Sequence, residues 1–160
     1  EDRVIIPSAK VATYDLFPQM SANEITDTLL QKLTTNMYDF ACINFANADM
    51  VGHTGNLTAC INACEILDAC VGKIVQFVNS RGGVVCISAD HGNAEEMINN
   101  ETGEIDTEHS IYPVPFLIIG PQYQNQAKAL PSGILADIAP TILHIMDIPK
   151  PEGMTGRVLI

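Results

Sequence analysis

Leu57, Ile61, Cys64, Leu67, Val71, Ile74, Val75 and Val78 recur at helical spacing and run into a Gly82-Gly83 stop. The apolar run Val84 to Ser88 (VVCIS) follows directly and ends at Asp90. A long amphipathic helix delivered straight into a short buried strand commits this part of the chain to layered packing of helix on sheet. The same alternation appears on either side. Ser21 and Glu24 form a capping-box pattern ahead of a helix through Leu33, with Ile25, Leu29 and Leu33 on one face. Phe40 to Phe45 (FACINF) reads as a buried strand, and FLII, between Pro115 and Gly120, as another. A last helix is expected after Asp137 as N-cap, with Pro140 in its first turn, to about Asp147. Residues 4–16 read as extended and 99–108 as a polar surface loop. The fold class expected is α/β, with a mostly parallel sheet flanked by helices. No internal repeat or domain boundary is visible.

Charge narrows the function classes. Eight Lys and Arg stand against nineteen Asp and Glu, a net charge of −11, with no basic cluster. That excludes a nucleic-acid partner, which needs a positive surface. An anionic substrate would be repelled unless bound divalent cations reverse the local field. Apolar runs such as Val114 to Ile119 are too short to span a membrane. No secretory signal pattern opens the chain. It begins at Glu1 rather than Met, so residues upstream are expected. Cys42, Cys60, Cys64, Cys70 and Cys86 are odd in number and form no CxxC pair, which favours free thiols in a reducing, cytoplasmic setting.

The Asp and His residues gather around the strand ends. Asp49 and His53 follow the first apolar run, Asp90 and His91 follow the second, and His109 precedes the third. Functional groups of open α/β sheets collect beyond the carboxyl ends of strands, so His109 must reach such a site from its loop. Asp49 and His53 are four apart and share a face if the segment makes one helical turn. A carboxylate oxygen and an imidazole nitrogen are ordinary ligands for zinc, manganese or iron. Asp90 and His91 are adjacent and would diverge in a regular strand, but Gly92 lets the chain turn. Spacing alone leaves the metal site level with a plainer reading. In that reading Asp-His-Gly is a turn, His109 a loop residue, Asn47 a turn residue and Thr54 a helix cap. His144, in the last helix, reads as structural or surface.

The literal strings tip this balance. The segments at 1–30 (EDRVIIPSAKVATYDLFPQMSANEITDTLL), 43–56 (INFANADMVGHTGN), 88–97 (SADHGNAEEM), 109–116 (HSIYPVPF), 135–143 (LADIAPTIL) and 151–160 (PEGMTGRVLI) cover nearly the whole chain. Together they resemble the C-terminal part of cofactor-independent phosphoglycerate mutases, members of the alkaline phosphatase superfamily. The resemblance implies a partial phosphatase-like domain over 1–160. The family's N-terminal segment and inserted transferase domain would lie outside it. It implies two divalent cations, usually manganese, and no 2,3-bisphosphoglycerate requirement. Residues matching Asp49, His53 and His109 hold one cation; those matching Asp90 and His91 help hold the other. The activity implied is interconversion of 2- and 3-phosphoglycerate in glycolysis through a phosphoserine, the whole enzyme being monomeric. The nucleophilic serine and the groups gripping phosphoglycerate would lie in the other segments. This chain alone is therefore expected to be inactive and, with an unpaired sheet edge, to self-associate. Ala48 stands where the family usually has proline, and Ser110-Ile111-Tyr112 where Thr-Thr-Asn is commoner. The alternatives are another phosphomutase or phosphatase of the superfamily, or a non-catalytic metal-binding module. ATYDLFPQMSA favours the mutase.

Overall fold

The computed structural model describes residues 1–124 and 129–160. Its elements are helices α1 (Ala22–Leu33), α2 (Asn47–Gly52), α3 (Leu57–Ser80) and α4 (Ile138–Ile145), and strands β1 (Val85–Ser88) and β2 (Phe116–Ile119). Short 3-10 turns occur at Tyr14–Leu16, Pro121–Tyr123 and Leu135–Asp137. Helix α3 runs the length its apolar spacing demands. Asn56 caps it, its side chain accepting from the Ala59 N–H at 3.1 Å. Thr54 does not cap α3; its hydroxyl donates back to the Val51 carbonyl at 2.6 Å. Gly82, at φ +78°, helps carry the chain out of the helix and towards β1.

Helices α1 and α2 pack on α3. The small core joins Val51 of α2, Ala59, Cys60 and Ala63 of α3, and Met97 from the segment after β1, with Tyr14 and Ala94 against it. That cluster fixes the position of α2 relative to the chain leaving β1. Asn47, fully enclosed at the start of α2, donates to the Pro18 and Gln19 carbonyls at 2.8 and 2.9 Å. It is a structural tie rather than a turn residue. All five cysteines are free. Cys60 and Cys70 are buried, Cys42 and Cys64 exposed, and burial pushes the Cys60 thiol up to about 11.

The mixed helix–strand class holds, but several details differ from expectation. The sheet is antiparallel among the described residues: β1 pairs with β2, Val85 opposite Ile119 and Ser88 opposite Phe116. Between them no crossover helix intervenes, and only such a connection returns a chain for parallel pairing. Residues 40–46 form no strand; Phe40 and Ile43 are 54% and 38% exposed. A strand needs neighbours to take its backbone hydrogen bonds, and none of the described residues offers them. Ser21 precedes α1 without capping it, because its hydroxyl donates to the Pro7 carbonyl at 2.8 Å.

Asp137 precedes α4 but does not cap it either. Its buried carboxylate accepts from the backbone N–H of Arg157 at 2.8 Å and of Ile134 at 2.9 Å. Those two bonds, the Arg157 amide first, hold the carboxyl below the usual range. Thr141 accepts from the Leu159 N–H at 3.1 Å. The final residues are thereby strapped across α4, with Leu159 buried beneath. Near them an open groove of about 400 Å³ is bounded by Ser132, Ile134, Thr155 and Arg157. No helix among the described residues is long and apolar enough to cross a membrane.

Candidate metal centre

Antiparallel pairing decides where the histidines fall. Because Ser88 lies opposite Phe116, the exit of β1 and the approach to β2 share one end of the sheet. An isolated bridge between Gly92 and Ser110 extends the pairing, with Ser110 N–H donating to the Gly92 carbonyl at 3.0 Å. His91 and His109 are thus carried to the same place, and their rings stack with centroids 3.8 Å apart. Gly92 leaves room here for the Glu95 carboxylate and the Ser110 hydroxyl, which a Cβ would displace.

Helix α2 supplies the other side. The His53 N–H donates to the Asp49 carbonyl at 3.0 Å, the full helical turn that puts both side chains on one face. Asp49 Oδ1 lies 3.2 Å from His53 Nε2 and 3.2 Å from His109 Nε2, and the two nitrogens are 3.1 Å apart. His91 Nδ1 is 4.0 Å from the same oxygen. Asp49, His91 and His109 also form a group whose ligand atoms lie within 4.8 Å of one another. Asp90 stands at the margin: its side chain is 87% exposed and reaches the cluster only through His91, at 3.7 Å. His144 is exposed on α4, away from these elements in sequence and packing.

The tautomer of His53 follows from its partner. Nδ1 lies 2.6 Å from the Thr107 carbonyl, which can only accept, so Nδ1 carries the proton. Nε2 is left facing Asp49 and His109, the nitrogen a metal-binding histidine uses while its other nitrogen donates to a carbonyl. The spacing can be tested against a cation. An ion bonded at about 2.1 Å separates neighbouring ligand atoms by about 3.0 Å in an octahedral shell and about 3.4 Å in a tetrahedral one. The observed 3.1–3.2 Å triangle falls between these. One carboxylate and neutral imidazoles suit a divalent transition ion.

Two residues around the cluster, Asn93 and Glu95, escape sequence reasoning. Asn93, buried, directs Nδ2 to Asp49 Oδ1 at 3.0 Å and to His53 Nε2 at 3.3 Å. Glu95 accepts from the Asn93 N–H at 2.9 Å and, in a very short bond, from the Ser110 hydroxyl. The Ser110 bond is the main reason its carboxyl is held below the ordinary glutamate range. Their proximity in SADHGNAEEM to the Asp-His pair was the one available signal.

A helical turn and a hairpin end that converge on one oxygen define a metalloenzyme-type centre. The chain belongs to the metalloenzyme superfamily, which residues 1–150 match. Within it, the whole chain is 56% identical to the 2,3-bisphosphoglycerate-independent phosphoglycerate mutase of Clostridioides difficile and 51% identical to mutase 2 of Methanosarcina barkeri. The crystal structure of Leishmania mexicana phosphoglycerate mutase at low cobalt concentration superposes on 97% of the chain, with a TM-score of 0.85 and 31% identity. The chain spans 31%, 30% and 31% of the lengths of these three proteins.

Proposed function

We propose that this chain forms the metal-holding part of an enzyme that interconverts 2- and 3-phosphoglycerate in glycolysis through a phosphoserine. The observation carrying the proposal is the 3.1–3.2 Å triangle of Asp49, His53 and His109, in a chain matched along its full length by phosphoglycerate mutases. In this reading Asp49, His53 and His109 hold one divalent cation, manganese by preference. Asp90 and His91 contribute to a second, completed by residues outside 1–160. Such cations, when bound, stabilise charge on the attacking and leaving oxygens and on the transferring phosphoryl group.

The chain's own residues hold and orient. Thr107 fixes the His53 tautomer, and Gly92 keeps a side chain out of the space beside His91. The nucleophile is assigned to a serine outside this chain. The serines beside the cluster have other work: Ser88 donates to the Ala89 and Pro115 carbonyls, and Ser110 to Glu95. The inserted transferase domain grips the substrate, and the whole enzyme works as a cytoplasmic monomer.

Calorimetric titration of the chain with manganese tests the metal assignment. One tighter site is expected, because only the first ligand set is complete. His53→Ala is expected to weaken it by at least tenfold, since it removes a ligand outright. Two equally tight sites, or unchanged binding in the variant, would count against the proposal.

A further inference from the structure

We infer that Asn93 is a positioning residue of the metal centre, its carboxamide N–H setting the orientation of the Asp49 carboxylate. The inference rests on the metal reading above and concerns a residue outside the proposed ligand set. Asn93 is 5% exposed, so its amide is withdrawn from water. Nδ2 donates to Asp49 Oδ1 at 3.0 Å and faces the His53 Nε2 lone pair at 3.3 Å. Asn93 Oδ1 is buried and has no hydrogen-bond partner among the described residues. An amide buried with one end unsatisfied is held by what its other end does. The opposite flip would press the carbonyl oxygen against a carboxylate oxygen and an imidazole lone pair, so the site itself dictates the orientation.

The surroundings are shaped for this amide. Gly52, on α2 between Asp49 and His53, leaves the room it occupies; a Cβ there would lie 3.0 Å from Asn93 Cγ and closer still to Oδ1. The Asn93 backbone is pinned by Glu95, which also holds the Ser110 hydroxyl beside His109. One residue therefore ties the α2 ligands to the segment that carries His109. Groups that orient metal ligands in this way typically change affinity by about 10–100-fold when removed.

Manganese affinity, measured by calorimetry on chains shown to be folded by circular dichroism, separates this role from packing. Asn93→Ala is expected to weaken binding about 10–100-fold. Asn93→Asp keeps the shape but loses the N–H donors and sets a carboxylate against Asp49. It is expected not to restore affinity. Gly52→Ala leaves Asn93 chemically intact and raises helix propensity, yet should also weaken binding by displacing the amide. Affinity in Asn93→Ala within about threefold of the unaltered chain, far short of the usual effect, would overturn the inference. So would Asn93→Asp binding as tightly as the unaltered chain. If the unaltered chain takes up no manganese, the metal reading itself fails and this inference with it; uptake by the unaltered chain that is weakened in Asn93→Ala and not restored in Asn93→Asp supports both.

Discussion

Given 3-phosphoglycerate and manganese, the 160-residue chain is expected to form 2-phosphoglycerate at least about a thousandfold more slowly than a full-length relative, because removing a nucleophile costs orders of magnitude and residues acting as a unit fail together. The expectation follows from what the site contains. Asp49, His53, His91 and His109 are ligand-type groups clustered around one oxygen. In the proposed reading each is committed to holding a cation, which leaves none of them to accept and return the phosphoryl group as the proposed serine does. The two serines beside them donate to a carbonyl or a carboxylate that anchors a loop. Retaining glycerate between two transfers also needs a closed, dry cavity, whereas Asp90 and His109 are substantially exposed here. An enzyme-coupled assay for 2-phosphoglycerate, run beside the Clostridioides difficile relative, decides the point. A rate within about tenfold of that enzyme would show that the chain carries its own nucleophile, since losing one costs far more.

Gly156→Ala is expected to destabilise the chain by about 3 kcal/mol, at the upper end of what overpacking usually costs. The residue is buried against the turn that enters α4. A Cβ would lie 2.6 Å from the Ala136 carbonyl carbon and 3.0 Å from the Asp137 nitrogen. Both are backbone atoms, so no rotamer change relieves the clash. The strap must lift instead. It then strains the Arg157 N–H to Asp137 bond, the Leu159 N–H to Thr141 bond and the burial of Leu159. Gly153, with nothing within 4 Å of its Cβ position, is the control and should tolerate alanine. Urea unfolding of both variants checks this. A Gly156→Ala shift of less than about 0.5 kcal/mol, the range of innocuous surface changes, would mean the strap moves freely.

What could be read in advance was periodic or local. The spacing of α3 and the i, i+4 placement of Asp49 and His53 depend only on helix geometry, and both are found. Helix starts at Ser21 and Asp137 were legible, but the use of their side chains was not. Ser21 serves Pro7 and Asp137 serves Arg157, partners 14 and 20 residues away. The orientation of β2 was likewise hidden, because an apolar run does not state its direction relative to a neighbour. That mattered most for His109, which seemed stranded on the wrong side of its strand until β2 proved antiparallel. Asn93 was invisible because its contact with Asp49 spans 44 residues and its type is common in turns.

The exposed cysteine in the middle of the unpaired 40–46 segment has a practical consequence. Cys42 sits on an apolar stretch with no strand beside it among the described residues, whereas Cys60 and Cys70 are enclosed and the other exposed thiol, Cys64, lies on α3. With the other exposed thiol, Cys64, replaced by serine, a thiol-reactive fluorophore on Cys42 becomes a gauge of whether that stretch is bare or covered. Alkylation protection at this atom would follow assembly with any other polypeptide directly, independent of metal uptake and of turnover.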